Sequence, residues 1–375
     1  MRRRRFDRRN RDRVSGSGLL RGLSTDTTLR SRRHVAVLDP LDQIPGVRRR
    51  RRDGPRRAAR RQALSRRDGR LCDSVRVGSG TATKFLTAED DLTGRPGRFT
   101  FVRCRDCSLV YQSPRPTLEH VKSYYESEYI AHRQPSDWGW LAPLFRRAIE
   151  SLDREKLRIV DRYLRLGPSS AVLDVGCGAG TFLAHVRSRH GCAGVGVDFM
   201  DLGDRPALRA VEFHRGLFYD QPFERERFNL ITMWHFLEHD YDPMRSLAHA
   251  HASLAPEGRL IVEVPRLDSV TFRLFGDRWP GVQAPQHTAL YDRALLLKTM
   301  ERSGFEVLDH LPYGAFPPYF YLFCGTAFRL LKGRGLNMQK AIYAYFAGQL
   351  LLLPVLPFLK QRNLAMQTVV CRKAR

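Results

Sequence analysis

Gly176-Cys177-Gly178-Ala179-Gly180 packs three glycines into five residues, behind the apolar run AVLDV and ahead of a helical run opening at Thr181. Backbone that free at a strand end brings N–H groups and a helix N-terminus to one point, a cradle for a small anion. A dinucleotide turn places its third glycine one position later, where strand and helix close around a pyrophosphate. With Thr181 there, a carboxylate fits better. Asp198 closes the next apolar run, GVGVD, 18 residues after Gly180, and a carboxylate so placed can accept both hydroxyls of a ribose. A second group follows a later apolar run: Trp234, His235, Glu238 and His239, with His287 further on in PQHTALY. Glu238, His239 and His287 are of the types that take a proton from a reacting hydroxyl. The alternative for each is a loop brace held by hydrogen bonds.

Metal chemistry is the third possibility. Cys104 and Cys107 form a CxxC between two β-prone runs, the spacing of one knuckle of a zinc ribbon. A structural zinc needs four ligands, and upstream only Cys72 offers a third, so the site is incomplete as written; His120 is a further candidate, against a place on a helix surface. His235-Phe236-Leu237-Glu238-His239 also spells HxxEH, an inverted zinc-protease pattern that requires a helix. Here it starts at the end of a buried strand, with Asp240 and Pro243 soon after, which makes it a coincidence of spacing.

The elements that must hold these residues alternate. AVLDV, GVGVD, FNLITMW and RLIVEVP are near-continuous apolar runs, as parallel strands covered on both faces require. Between them lie helical patterns, such as residues 243–254 with Asp242 as cap and Pro243 in the first turn. A helix with apolar positions 152, 157, 160 and 164 precedes the first run and stops at Gly167-Pro168. The fold class expected is α/β: a doubly wound, mostly parallel, Rossmann-like sheet with a small β-rich N-terminal segment and an apolar helical C-terminal region. Thr117 caps a helix opening LEHVKSYYESEYI, whose Tyr124, Tyr125 and Tyr129 read as packing. Residues 311–328 and 341–359 are each uncharged but interrupted by Pro and Gly, poor candidates to span a membrane. MQTVVCRK reads as a final strand. The division expected is an arm at 1–70, a degenerate zinc-ribbon-like segment and linker helix at 71–140, a core at 141–310, and apolar helices with a last strand at 311–375.

The net charge of +25 suggests a nucleic-acid partner until its location is noted. Residues 1–70 hold 24 arginines, no lysine and seven aspartates, leaving an excess of only about +8 on the other 305 residues. The arm lacks apolar periodicity and reads as a solvated, disordered extension. No apolar stretch of signal-peptide type follows the first arginines, and seven scattered cysteines make no disulfide framework. Both point to the cytoplasm.

VLDVGCGAGTFL followed by GVGVD resembles the cofactor half of class I S-adenosylmethionine-dependent methyltransferases. FNLITMWHFLEHDYDP, LAPEGRLIVEVP and the WP…PQHTALYDRALLLKTMERSGFEV stretch extend the resemblance over about residues 100–310. It is nearest to the small-molecule and glycan branch, which often carries a zinc-ribbon-like N-terminal piece. It implies S-adenosyl-L-methionine as cofactor, with Asp174, Gly176, Gly178 and Gly180 around the methionine moiety, Asp198 on the ribose, Leu217 beside the adenine and Trp234 in the same crevice. Asn229 departs from the Asp usual after Phe, and the missing cysteine pair near residue 75 leaves the zinc in doubt.

The function expected is therefore methyl transfer to a hydroxyl of a small molecule or glycan. A nucleic-acid methyltransferase is the first competitor, but WHFLEH stands where an Asn/Asp-Pro-Pro-aromatic motif belongs, and no cysteine follows a proline. A non-catalytic module that keeps the cofactor fold is the second. Basic residues 329, 332, 334, 340, 360 and 362 fringe the two apolar C-terminal runs, which suits peripheral contact with the inner face of a membrane through residues 311–359. The competing reading makes those runs a lid, sheet completion or subunit interface.

Overall fold

The computed structural model describes residues 82–125, 139–352, 354–359 and 362–374; the arginine-rich arm, Cys72 and Tyr129 lie outside them. The apolar runs form strands: β1 (Ala82–Ala88), β2 (Phe99–Cys104), β3 (Val110–Gln112), β4 (Ala171–Val175), β5 (Ala193–Asp198), β6 (Glu212–Arg215), β7 (Phe228–Trp234), β8 (Leu254–Pro265), β9 (Ala289–Leu290), β10 (Phe305–Leu311) and β11 (Met366–Lys373). The helices are α1 (Leu118–Lys122), α2 (Ala142–Tyr163), α3 (Thr181–His190), α4 (Pro243–Ser253), α5 (Val270–Phe275), α6 (Arg293–Arg302), α7 (Pro318–Leu331), α8 (Met338–Leu351) and α9 (Leu356–Leu359).

Seven strands make the main sheet in the order β10-β11-β8-β7-β4-β5-β6. The run from β6 to β8 is parallel, while β11 is antiparallel to both of its neighbours. The sheet is covered on both faces, as the unbroken apolar runs require. Leu173, Ile231 and Val262 pack towards Leu247 of α4 and Leu296 of α6, whereas Val172, Leu230 and Ile261 pack towards Leu157 of α2 and Leu183 of α3. Asn229 has a local reason to replace the usual Asp: its Oδ1 accepts from the Ala171 N–H at 2.9 Å, tying the start of β4 to β7.

β4 has β5 on one side and β7 on the other, so the chain reverses direction of travel across β4. A crevice outside the strand carboxyl ends forms at such a switch point. Asp174, the glycine turn, Asp198 and Trp234 all lie at that end.

The second sheet, β1-β2-β3-β9, is antiparallel. Its fourth strand comes from residues 289–290, directly after His287, so the N-terminal segment is joined to the core beside a candidate base. The C-terminal residues also serve the core: β11 lies inside the main sheet, Tyr321 of α7 packs with Met366 at its start, and α8 packs on Tyr319 of α7 and Phe145 of α2. Gly348 permits the α7–α8 approach, because a Cβ there would lie 2.0 Å from the Tyr319 hydroxyl.

Candidate functional site

The glycine turn is built as its spacing predicts. Gly176, Gly178 and Gly180 have φ of 72°, 52° and 75°, in the left-handed region that side chains disfavour. Gly180 caps α3, and a Cβ on it would meet Leu208 at 2.3 Å. Asp198 holds the turn from the next strand: Oδ2 accepts from the Gly178 N–H at 3.0 Å and Oδ1 from the Met200 N–H at 2.9 Å.

Asp174 is buried at the end of β4, where it accepts from the Thr232 hydroxyl at 2.6 Å. Burial lifts its carboxyl to about 6, against the opposing pull of Lys156 and Thr232. Trp234 ends β7 with its ring edge-on to Phe182 at 5.6 Å. Its indole N–H is buried and has no hydrogen-bond partner among the described residues, a donor left for a ligand. Leu217 lines the same cavity, beside Phe218 and Tyr219. The glycine cradle, the strand-end carboxylate and the unpaired indole N–H together fit a cofactor that carries both a carboxylate and a ribose.

Sequence reasoning missed Asp153 and Lys156 of α2, which also line this cavity. Their side chains lie 4.0 Å apart, and the Lys156 ammonium sits over the rings of Phe182 and Trp234. The signal was present: an Asp/Lys pair on the helix face that also carries Leu157 and Val160.

The acid–base group assembles around the residues after β7. They form turns rather than a helix, so HxxEH has no zinc-protease geometry. Even so, Glu238 and His239 do meet His287. Ligand-capable atoms of the three lie within 4.8 Å of one another, and this is the cluster among the described residues that could hold a metal ion. The cysteine pair does not supply one there: Cys104 ends β2, Cys107 lies in the following turn, and Cys72 falls outside the described residues.

His287 Nδ1 lies 2.8 Å from the Gly281 carbonyl oxygen, and His239 Nδ1 lies 3.1 Å from that of Gln286 and 2.8 Å from the Tyr125 hydroxyl. A carbonyl only accepts, so a proton on each Nδ1 satisfies it and leaves Nε2 as a lone pair. The rings stand edge to face with centroids 4.4 Å apart. Burial pushes both imidazoles down to about 3, and for His239 the neighbouring His287 adds to it. Both are neutral at pH 7. Tyr125, expected as packing, instead touches a candidate base.

His235 is the third histidine, at φ 56°, an unusual backbone for a side-chain-bearing residue. Its Nδ1 is 3.4 Å from Glu238 and its Nε2 is 3.2 Å from Glu263, both carboxylates fully buried. Burial lowers its basicity, but the two carboxylates overcome that and hold it at about 9. It is an imidazolium at pH 7. Glu263 stays ionised despite burial, through His235 and through N–H donation from Ala315 at 2.7 Å. Neither carboxylate oxygen of Glu238 has a hydrogen-bond partner in good geometry among the described residues.

A cavity of about 380 Å³ is lined by Asp174, Gly176, Gly178, Asp198, Trp234, His235, His239 and His287, while Gly180, Thr232, Glu238 and Glu263 stand behind it. Trp279 is one of its walls, with its N–H given to Thr271 at 2.9 Å.

Comparison with known proteins agrees with this geometry. Residues 144–310 match the methyltransferase-domain family model. The ubiquinone biosynthesis O-methyltransferase of Coxiella burnetii is 30% identical over 186 residues, which cover 46% of this chain and 78% of that enzyme. An uncharacterised 37.1 kDa protein of transposon TN4556 from Streptomyces fradiae is 32% identical over 112 residues, a match spanning 28% of this chain and only 32% of that protein. Among solved structures, the geranyl diphosphate C-methyltransferase of Streptomyces coelicolor A3(2) aligns with 59% of this chain and 80% of its own, at 14% identity and a TM-score of 0.40. With the nucleotide-type crevice at the switch point and a relative aligned over more than three quarters of its length, the chain belongs to the class I S-adenosylmethionine-dependent methyltransferases.

Proposed function

We propose that this methyltransferase acts on a hydroxyl group of a small organic acceptor. The observation that carries the reading is the placement of two neutral histidines, lone pairs free at Nε2, in the same cavity as the glycine turn. When bound, S-adenosylmethionine supplies a methyl carbon activated by its sulfonium, so that in-line positioning is most of the task and the carbon–sulfur pair leaves with sulfur. The glycine turn and Asp198 hold the cofactor, with Lys156 offering a charge to its carboxylate. His239 or His287 takes the acceptor's hydroxyl proton at Nε2 as the oxygen–carbon bond forms. An imidazole held near 3 is a weak base on its own; the buried Glu238 carboxylate beside it stabilises the imidazolium as it forms.

Two measurements test the reading. Calorimetry with S-adenosylhomocysteine should show one site, and absence of heat at millimolar ligand would remove the cofactor assignment. Labelled S-adenosylmethionine incubated with fractionated cell extract should mark small organic solutes or lipids and leave RNA and DNA unlabelled; labelled nucleic acid would select the competing reading.

Peripheral membrane contact has its own support. Leu330, Leu350, Leu351 and Phe358 on α7–α9 are between 69% and 80% exposed, near the basic Arg329, Lys332 and Arg334. Among the described residues no helix is long and apolar enough to cross a membrane. In flotation, protein lacking residues 1–70, whose arginines would by themselves bind an anionic surface, should rise with anionic vesicles at low salt, and Leu350→Glu with Leu351→Glu should abolish that. Equal behaviour of the two proteins would make this face a lid or an interface.

A further inference from the structure

The cavity has two chemically different ends. One carries the glycine turn, Asp198 and the histidine pair. The other is walled by Phe145 and Ile149 of α2, Phe320 of α7, and Ile342, Tyr345 and Phe346 of α8. Residues 311–328 and 341–359 contribute no charge to that wall. The Tyr345 ring packs within it, with its centroid 5.2 Å from that of Tyr319 and 5.3 Å from that of Phe346. Of the other charged lining groups, Glu89 and Asp91 are engaged by Arg278, Asp277 adjoins that arginine in sequence, Asp153 pairs with Lys156, Asp174 accepts from Thr232 and Asp240 accepts from the Asp242 N–H.

Such a wall offers faces of ring and hydrocarbon and few hydrogen-bond partners. A polyhydroxylated acceptor buried there would leave its hydroxyls unsatisfied, which costs free energy. An apolar chain loses nothing and gains roughly 0.8 kcal/mol per buried methylene. The methionine-binding turn and Asp198 occupy the polar end, so the aromatic end is surplus to cofactor binding. It is continuous with the space in front of His239 and His287. The same two C-terminal helices carry the exposed apolar residues Leu330, Leu350 and Leu351.

We infer that the acceptor is an amphiphile, its reacting hydroxyl at the histidine pair and its hydrocarbon tail lodged between α2, α7 and α8. The inference rests on the reading of this cavity as a hydroxyl methyl-transfer site. It narrows the substrate class from small molecules and glycans in general to tail-bearing compounds.

The test uses the full chain saturated with S-adenosylhomocysteine, and two probe series kept below their micelle-forming concentrations. These are 4-alkylphenols and n-alkyl β-glucosides, each from two to ten tail carbons. Calorimetry should show affinity rising about threefold to fourfold per methylene in at least one series, then levelling where the tail fills the wall. The series that responds identifies the head group. Ile342→Trp should bring the plateau to a shorter chain, and Phe346→Ala should move it to a longer one. Affinity independent of tail length in both series overturns the inference, as does a plateau unmoved by both variants. Should the tryptophan variant misfold, the alanine variant decides alone. S-adenosylhomocysteine binding, measured first, separates the two claims: its failure removes the methyl-transfer reading, while flat tail dependence with intact cofactor binding removes only the tail.

Discussion

The two halves of the cavity are made differently. The cofactor half is largely backbone: three left-handed glycines, a helix N-terminus and the carboxylates of Asp174 and Asp198, all within residues 174–198. The acceptor half is side chains drawn from many places: Tyr125, α2, residues 235–239, residues 279–287, Phe316 and the helices α7 and α8. A backbone site needs particular residues at fixed spacing, because only glycine tolerates those dihedrals. A side-chain site can be drawn from any part of the chain that the fold brings together, and its composition is free to change with the acceptor. One half reports the family and the other reports the substrate.

The division is broken most sharply at the histidines. His239→Ala and His287→Ala should each cut turnover by about a hundredfold or more while leaving S-adenosylhomocysteine affinity within a factor of about two. Single-turnover rates against calorimetric affinity make the check. Loss of cofactor affinity in both would join the halves into one site. Full turnover in both would place the base elsewhere. A divalent cation held by Glu238, His239 and His287 would give a different signature: activity lost on chelation and restored by added metal.

The same division governs what was legible in sequence. AVLDV, GVGVD and FNLITMW were legible as parallel strands because burial on both faces writes an unbroken apolar run. The Gly176–Gly180 spacing gave the crevice because the turn cannot be built otherwise. Tyr125 was not legible as a functional residue, since its partner His239 lies 114 residues away and comes near only when β9 joins the small sheet to the core. Glu263 sits inside RLIVEVP as a lone acid in a buried strand, a signal that could have been read. Its partners at 235, 315 and 368 are set by sheet order, which no local pattern records. The aromatic wall was seen only as apolar composition. Which face of α7 or α8 meets the cavity depends on packing at Gly348 and against α2.

A change in the cofactor half should do the reverse of the histidine changes. Gly178→Val puts a branched side chain at φ 52°, at a residue whose N–H is held by Asp198, and Asp198→Ala removes the strand-end acceptor. Each should weaken S-adenosylhomocysteine binding by at least about tenfold, or roughly 1.4 kcal/mol. Alkylphenol or alkyl glucoside binding to the cofactor-free protein should change little. Circular dichroism guards against unfolding as the cause. Unchanged affinity in both variants would remove the crevice assignment and, with it, the contrast between the halves.

The smallest expected effect lies at the seam. His235 follows β7 directly, and its imidazolium bridges Glu238 of the acid–base cluster to Glu263, which in turn anchors the Ala315 and Phe316 backbone leading into α7. Its proton is held to about 9 in the folded protein, against an ordinary value of 6.5. Across that interval the folded chain keeps a proton the unfolded chain has released. Stability from this group is therefore complete below pH 6.5 and is lost as pH rises through about 9. His235→Gln keeps a hydrogen-bonding side chain but cannot carry the charge. Its Tm should lie a few degrees below wild type at pH 6.5, and the difference should shrink steadily towards pH 9.5. Other titrating groups are common to both proteins and cancel in the comparison. Melting curves at half-unit intervals decide it: a Tm difference that stays constant over the range would mean His235 is neutral when folded, and the two halves are then joined by packing alone.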